Sequence, residues 1–307
     1  MPTLPSKIFI DGGEPQETRQ ASEMMQKQFG KPLDGQTTNP SLIAKKLVTG
    51  DKEQVTGKSN GEISRVTSHV SPITQEQALA QYKRIVQEMS SIIPSGSISI
   101  QVFADADTTA EEMLLQGRER MKWIPNASIK YPCTSHGLKA ASVACKEMPI
   151  NITLAFSQSQ AAAVYEATKG ASFPVFISPF VGRLDDRGEN GMQTIENILK
   201  LYNPPAGGGD GHVEVLTASV RTLDHFLYAL KLQSPIITTP IKVFQLWADG
   251  GYQIPNDSYV YNPGTLKPIP YDETITLGVP WQGYDLYHDL TESGVSRFFS
   301  DWMGLFQ

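Results

Sequence analysis

Short apolar segments alternate along the chain with longer segments in which apolar residues recur at helical spacing. Eight of the apolar segments have the length of β-strands, namely 8–13, 35–43, 97–103, 128–133, 150–156, 174–181, 214–220 and 235–240. Helical spacing is clearest over 108–123, 157–170, 189–203 and 222–233. Regular alternation of strand and helix predicts an α/β protein, and eight such units favour a closed (β/α)8 TIM barrel. The alternative is an open doubly wound sheet, but that fold usually has a Gly-rich phosphate turn, and Gly12–Gly13 is too short for one.

Two stretches interrupt this alternation. Residues 49–75 are rich in Gly, Ser, Thr and Lys, which predicts an exposed insertion. Residues 251–285 are rich in Pro, Tyr, Gly and Asp, which predicts an irregular extension. The aromatic cluster within 284–306 is typical of an amphipathic helix, and we expect this C-terminal extension to pack on the barrel or on a neighbouring subunit. Because a barrel of this size can be a single domain, residues 1–307 are expected to form one domain.

Composition excludes several classes of protein. The 307 residues carry a net charge of −6 and show no cluster of Lys and Arg, which argues against a nucleic-acid surface. No apolar run reaches the roughly 18 residues of a membrane span. Only Cys133 and Cys145 are cysteines, and the chain does not open with a charged and then apolar leader. These features predict a reduced, cytoplasmic setting.

The two faces of several predicted strands differ in polarity. Successive side chains of a strand point to opposite faces. The polar faces consist of Ser99 and Gln101 in the third strand, Asn151 and Thr153 in the fifth, and Thr217, Ser219 and Arg221 in the seventh. Leu154 and Leu216 lie on the opposite, apolar faces. We expect the polar faces to line the barrel interior near the carboxyl ends of the strands, where enzymes of this fold keep their chemistry.

Lys130 lies in the middle of the fourth apolar segment, SIKYPC. Burial inside a barrel would lower the pKa of its amine, and a free amine can attack a carbonyl to form a Schiff base. The alternative is a lysine on an exposed strand. Schiff-base chemistry needs an acid/base group and groups that hold hydroxyls, and the other strand ends supply both. These are Asp11, Asn39, Asn151, Thr153 and Ser178, so the catalytic interpretation is favoured.

A second group of residues suggests an anion site. Arg183 and Arg221 follow the sixth and seventh strands, and Ser219 lies beside the latter. Two guanidinium groups and a hydroxyl at one rim can bind a dianion such as a phosphate. The alternative is a pair of solvated arginines, or ion pairs with Asp185 and Asp186.

Six segments in order resemble the transaldolase family. They are IFIDGG (8–13), DGQTTNPSLIAK (34–45), IKYPCTSHGLKAA (129–141), NITLAFSQSQA (151–161), ISPFVGRLDD (177–186) and LTASVRT (216–222). The tail LYHDLTESGVSRFFSDW (286–302) is also similar, so the resemblance covers roughly residues 6–250 and 286–302. It implies a class I aldolase-type barrel that uses no metal and no organic cofactor. Because the tail helix of the family often crosses to a neighbour, it also implies a homo-oligomer.

The resemblance implies a role for each matching residue. Lys130 would form the Schiff base, Asp11 would take and return the proton of the donor's C4 hydroxyl, and Thr153 would position the catalytic water. Asn39, Asn151 and Ser178 would hold the hydroxyls of the three-carbon fragment, while Arg183, Ser219 and Arg221 would bind the phosphate. The implied reaction transfers a dihydroxyacetone unit from a ketose phosphate, fructose 6-phosphate or sedoheptulose 7-phosphate, to an aldose phosphate, as in the pentose phosphate pathway.

Two positions give a mixed pattern. Most transaldolases have a glutamate at the position of Gln101, whereas the related fructose-6-phosphate aldolases have glutamine. Phe180 is typical of transaldolases, because those aldolases usually have tyrosine there. An enzyme similar to fructose-6-phosphate aldolase is therefore an alternative, as is a sulfo-sugar transaldolase, since the same arginines could bind a sulfonate. A non-catalytic sugar-phosphate-binding barrel is a further alternative, but it would be expected to lack Lys130 or Asp11, and both are present.

Overall fold

The structure, a computed structural model, describes residues 3–50, 73–203 and 209–306. Eight parallel strands pair in chain order and close into a barrel, which confirms the predicted (β/α)8 fold and excludes the open sheet. The strands are β1 (Lys7–Asp11), β2 (Gly35–Thr37), β3 (Ser97–Gln101), β4 (Ala127–Pro132), β5 (Ile150–Ala155), β6 (Val175–Pro179), β7 (Val213–Thr217) and β8 (Ile236–Thr239).

Helices surround the barrel and connect its strands. They are α1 (Pro15–Phe29), α2 (Pro40–Gly50), α3 (Gln75–Ile92), α4 (Ala110–Arg120), α5 (Ser135–Ala144), α6 (Gln158–Ala167), α7 (Val181–Asp185), α8 (Gly191–Tyr202), α9 (Leu223–Lys231), α10 (Ile241–Asp249) and α11 (Asp289–Met303). Five of these helices begin after a residue whose hydroxyl accepts a hydrogen bond from a backbone N–H three positions later, namely Thr74, Thr109, Thr134, Ser157 and Thr222. Such caps satisfy N–H groups that a helix cannot pair internally, so they fix where each helix starts.

Apolar side chains fill the barrel interior below the carboxyl ends of the strands. Phe9 and Phe176 meet edge to face at 6.4 Å, beside Leu216 and Ile236. Gly35 makes room for this group, because a Cβ atom there would lie 2.5 Å from the Phe9 ring. Asp11 and Ser178 follow Phe9 and Phe176 by two residues and so lie above this apolar group, at the carboxyl ends of β1 and β6.

The second strand is shorter than the predicted 35–43. β2 ends at Thr37, and α2 begins at Pro40. Proline suits the first turn of a helix because its φ is already fixed and its missing N–H would have no partner there. Asn39 lies in the intervening loop, where its Oδ1 accepts a hydrogen bond from the Leu42 N–H at 3.0 Å. It thus reaches the barrel mouth from a helix start and not from a strand.

The predicted orientation of the seventh strand was wrong. Leu216 points into the barrel, among the apolar group with Phe9. Thr217 points outward, and its Oγ1 lies 2.8 Å from the Ser234 Oγ. The error arises because the barrel interior is apolar at the level of Leu216. A polar strand face indicates the interior only near the carboxyl ends of the strands. Ser219 follows the strand end with φ of 58°.

The prediction for Leu154 in the fifth strand was also wrong. The register of β5 against β6 shifts between Thr153 and Ala155, and Leu154 has φ of 60°. The shift brings the Leu154 side chain to the inner face, in contact with the group that includes Phe180. Regular alternation therefore ends at Thr153.

Residues 251–285 contain no α-helix or β-strand, only a 3-10 turn at Trp281–Gly283. The segment follows the outside of α6 and α8. The side chain of Gln158 donates to the Asp272 carbonyl and accepts from the Asp272 N–H, at 2.9 Å each, and the Asn197 Nδ2 donates to the Ile269 carbonyl at 2.9 Å. The segment thus lies on the outer wall of the barrel.

The tail helix α11 packs on the carboxyl end of its own barrel. The Thr291 Oγ1 donates to the Leu154 carbonyl at 2.9 Å, and Trp302 stacks on Phe103 with ring centroids 4.0 Å apart. The predicted insertion at 49–75 lies, apart from its ends, outside the described residues. Within the described ranges, no helix has both the length and the apolar character needed to cross a membrane.

Candidate active site

A cavity of about 250 Å³ opens at the carboxyl end of the barrel, beside α11. It collects side chains that are far apart in the sequence. Eight of the residues singled out from the sequence line it: Asp11, Asn39, Lys130, Ser178, Phe180, Arg183, Ser219 and Arg221. The other three, Gln101, Asn151 and Thr153, do not line it.

Lys130 projects from β4 into the barrel, and only 2% of the residue is exposed. Its Nζ donates a hydrogen bond to the Thr38 carbonyl at 3.1 Å. Burial lowers the pKa of Lys130 to about 8, although the charge of nearby Asp11 opposes this effect. A substantial fraction of free amine therefore exists near neutral pH, as a nucleophile requires.

Asp11 ends β1 at the wall of the same cavity. The Thr37 Oγ1 donates to the Asp11 Oδ1 at 2.7 Å. The Thr238 Oγ1 lies 2.7 Å from the Thr37 Oγ1 and must donate to it, since Thr37 has already used its single proton. Burial raises the pKa of Asp11, and the charge of Lys130 and the bond from Thr37 oppose the rise. Asp11 is thus a carboxylate held in one orientation and ready to accept a proton.

Ser178 and Asn151 form a chain of hydrogen bonds below the cavity. The Ser178 Oγ donates to the Asn151 Oδ1 at 2.7 Å, and the Asn151 Nδ2 donates to the Ser99 Oγ at 3.1 Å. Asn151 is fully buried. Only the Ser178 end of this chain lines the cavity, so Asn151 orients Ser178 in the structure described.

Gln101 and Thr153 lie beside the cavity residues in the barrel wall. Gln101 pairs in register with Lys130, and Thr153 pairs with Ser178. The Gln101 Oε1 and the Thr153 Oγ1 are buried without a hydrogen-bond partner among the described residues. Since buried polar atoms normally have a partner, both can bind a water or a substrate hydroxyl.

The two arginines of the predicted anion site reach the cavity differently. Arg221 donates to the Asp186 Oδ2 at 2.9 Å, and its side chain is 48% exposed. Exposed ion pairs contribute little, so a dianion can replace Asp186. Arg183 makes no ion pair within the described ranges, and its guanidinium lies over the rings of Phe180 and Phe298, at 5.9 and 5.6 Å. Burial lowers the pKa of Arg183, and the positive charges of Arg297 and Arg221 lower it further.

Gly182 in α7 allows the loop of residues 219–221, which carries Arg221, to approach this helix closely. A Cβ atom at Gly182 would lie 2.3 Å from the Ser219 carbonyl oxygen and 2.4 Å from the Arg221 Cγ. The Gly182 N–H donates to that carbonyl at 3.1 Å. His225 supports the same loop, because its Nδ1 accepts from the Arg221 N–H at 3.4 Å while its Nε2 contacts the Asp185 Oδ2 at 2.7 Å. The loop geometry thus depends on a residue without a side chain.

Several cavity residues were missed by the sequence analysis. They are Thr37, Ser41, Leu42, Ala218, Thr238, Arg297 and Phe298. Thr37 shares a strand face with Gly35 and could have been found from alternation. Arg297 and Phe298 come from α11, to which the sequence assigned only packing, and they reach the cavity through tertiary contacts. One such contact is the hydrogen bond that Ser41 donates to Asp301.

Comparisons with known proteins agree with this geometry. A profile of the family described as "Transaldolase/Fructose-6-phosphate aldolase" matches residues 8–307. A "Probable transaldolase" of Dehalococcoides mccartyi is 31% identical over 258 residues, covering 83% of this chain and 96% of that protein. Proteins with the same description from Mesorhizobium japonicum and a Thermoanaerobacter species are 31% and 35% identical over 298 and 297 residues, each covering 96% of both chains.

Proposed function

The chain belongs to the transaldolase/fructose-6-phosphate aldolase family, and we propose that it is a transaldolase that forms a Schiff base on Lys130. Family membership makes it an aldolase-type enzyme. The proposed substrates are a ketose phosphate as donor and an aldose phosphate as acceptor. The unit transferred between them is dihydroxyacetone.

The buried amine of Lys130 is the observation that carries the proposal. Burial lowers the pKa of Lys130 to about 8, so that part of the amine is free to act as a nucleophile. The Asp11 carboxylate, an acid/base group, lines the same cavity. Burial of these two ionisable groups costs free energy, so stability does not explain their position in the barrel. The arginines at the other side of the cavity supply the charge that a phosphate requires.

The proposed reaction starts with the donor ketose. The Lys130 amine adds to the C2 carbonyl, and loss of water from the adduct gives an iminium ion. The Asp11 carboxylate takes the C4 hydroxyl proton, the C3–C4 bond breaks, and its electron pair moves to the iminium nitrogen. The aldose phosphate leaves, and an enamine stays on Lys130. The enamine carbon then attacks the aldehyde of the acceptor, Asp11 returns its proton to the new alkoxide, and water releases the product from Lys130.

Proton delivery favours transfer over simple cleavage. An aldolase must protonate the enamine and release dihydroxyacetone, whereas a transaldolase must keep the enamine until an aldehyde arrives. Phe180 lines the cavity and carries no exchangeable proton. Gln101 does not decide between the two reactions, because glutamine is typical of the aldolases at this position but supplies no acidic proton donor. We therefore propose a transaldolase with a measurable aldolase side reaction.

Borohydride trapping tests the Schiff base. The protein is incubated with fructose 6-phosphate and sodium borohydride, and the modified peptide is identified by mass spectrometry. We expect the adduct on Lys130, and we expect Lys130→Met to fold normally without turnover or trapping. Lys139→Met is the matched control, since Lys139 is exposed and pairs with Glu111 on the outside of the barrel. An adduct on Lys139, or trapping that survives Lys130→Met, would refute the proposal.

A further inference from the structure

Tyr82 lies outside the barrel but reaches its wall beside Lys130. It is in the middle of α3, and no part of it is exposed. Its hydroxyl accepts a hydrogen bond from the Gln101 N–H at 3.2 Å and lies 2.7 Å from the Thr38 Oγ1. A helix side chain thus joins the ends of two neighbouring strands.

Tyr82, Thr38 and the backbone groups of Gln101 and Ser99 form a chain of hydrogen bonds, and the direction of each bond in it is fixed. The Thr38 Oγ1 donates its only proton to the Ser99 carbonyl at 2.8 Å. Tyr82 must therefore donate to Thr38, and its oxygen remains free to accept from the Gln101 N–H. Each hydroxyl both donates and accepts, so the chain has a single arrangement.

This chain lies where the pairing of β2 with β3 ends. The last paired residues are Thr37 and Ser99. Beyond them, Thr38 is held by the bonds of its N–H and its hydroxyl to the Ser99 carbonyl and by the Tyr82 hydroxyl. Tyr82 continues the junction between the two strands by one residue, using a side chain in place of the backbone ladder.

The carbonyl of Thr38 is the group to which Lys130 donates, at 3.1 Å. A protonated Schiff base has one N–H, and this carbonyl is positioned to accept it. Gln101, the other residue bonded to Tyr82, pairs in register with Lys130. Tyr82 therefore holds the residue whose carbonyl accepts from the reacting nitrogen, and the backbone of the residue paired with Lys130, without lining the cavity itself.

We propose that Tyr82 is a positioning residue for the Schiff-base step, acting through the Thr38 carbonyl and Gln101. The inference rests on the proposed function of Lys130. It assigns to a buried residue of α3 a role in the rate of iminium formation. Tyr82 is not a proton donor to the substrate, because its hydroxyl proton is committed to Thr38.

Tyr82→Phe tests this inference against a matched control. Tyr202 is also buried on a helix, and its hydroxyl donates to the Ala161 carbonyl at 2.8 Å, away from the cavity. Both changes delete one buried hydroxyl. We expect Tyr82→Phe to lower kcat and the single-turnover rate of borohydride-trappable adduct by about tenfold. The KM for the acceptor should change little, and Tyr202→Phe should leave kcat unchanged.

A second variant separates positioning from stability. Thr38→Val keeps the backbone carbonyl but removes the hydroxyl that Tyr82 binds. If the hydrogen-bond chain acts as one unit, the double variant with both Tyr82→Phe and Thr38→Val should lose no more activity than either single variant. Full additivity of the two losses in kcat, or equal kcat for Tyr82→Phe and Tyr202→Phe, would overturn the inference. If Tyr82→Phe does not fold, the Thr38→Val variant alone decides, and an unchanged kcat in that variant would overturn the inference.

Failure of the proposed function has a different result. Wild-type protein that forms no adduct on Lys130 would overturn both proposals. Wild-type protein that is trapped normally, together with a Tyr82→Phe variant that is trapped equally fast, would overturn only the role of Tyr82.

Discussion

The ionisation of Lys130 gives the sharpest quantitative test of the site. With a pKa of about 8, about one tenth of the Lys130 side chains carry a free amine at pH 7. A lysine with the ordinary value of 10.5 would have only about 0.03% free amine. Burial therefore increases the nucleophilic form by roughly 300-fold. We expect the initial rate of adduct formation to rise with pH and to level off above about pH 8.

Asp11→Asn separates the two roles of the carboxylate. The charge of Asp11 stabilises the ammonium form of Lys130, so its removal should lower the pKa of Lys130 further. The free amine at pH 7 should then become more abundant. Turnover of fructose 6-phosphate with erythrose 4-phosphate should nevertheless fall by about 10²–10⁴-fold, because the C4 hydroxyl loses its proton acceptor.

The assay is competitive labelling of lysines with acetic anhydride at a series of pH values, read by peptide mass spectrometry. The labelling midpoint of Lys130 reports its pKa in wild-type protein and in Asp11→Asn. Asp257→Asn is the control, since Asp257 is an exposed carboxylate paired with Lys231. A wild-type midpoint near 10.5, or a midpoint that rises in Asp11→Asn, would refute the reasoning.

Two further predictions concern the anion site and the fate of the enamine. Arg221→Ala should raise the KM for phosphorylated donors by about tenfold, near the lower limit for a charge-assisted hydrogen bond because Arg221 is half exposed. Arg297→Ala should raise the KM for phosphorylated donors by only about 2–5-fold, since that side chain is 67% exposed. If the KM for non-phosphorylated acceptors rises equally in these variants, the arginines do not form an anion site. Phe180→Tyr should raise the release of free dihydroxyacetone relative to sedoheptulose 7-phosphate when fructose 6-phosphate is supplied with erythrose 4-phosphate. A wild-type enzyme that releases dihydroxyacetone faster than it forms the seven-carbon sugar would reverse the ranking of transaldolase over aldolase.

Local patterns were sufficient to predict the barrel and most of the cavity. The apolar segments located all eight strands, because parallel strands buried on both faces have continuous apolar runs. Lys130 stood out because a charged residue interrupts such a run. In a closed parallel barrel the carboxyl ends of all strands surround one opening, so Asp11 on β1 and Ser178 on β6 could be assigned to one site from their positions in the strands.

The contribution of α11 could not be predicted in this way. Arg297 and Phe298 lie more than 100 residues along the chain from Arg183, and nothing in the sequence fixes which part of the barrel the helix covers. Its position depends on packing between Trp302 and Phe103 and on the bond between Thr291 and the Leu154 carbonyl. Such contacts form only once the barrel exists. Tyr82 was missed for the same reason, since its function depends on a hydroxyl placed between two strand ends.

Unusual backbone geometry occurs at Leu154, whose orientation was predicted wrongly, and at Ser219, which follows the wrongly oriented seventh strand. Leu154 and Ser219 both have φ near 60°, which costs a residue with a side chain about 1–3 kcal/mol. Each is held there by a tertiary bond to its carbonyl, from the Thr291 Oγ1 to Leu154 and from the Gly182 N–H to Ser219. One of these bonds anchors the tail helix that brings Arg297 to the cavity, and the other fixes the loop that carries Arg221. These two positive-φ residues therefore lie where the barrel attaches the elements that carry Arg297 and Arg221, two residues of the proposed anion site.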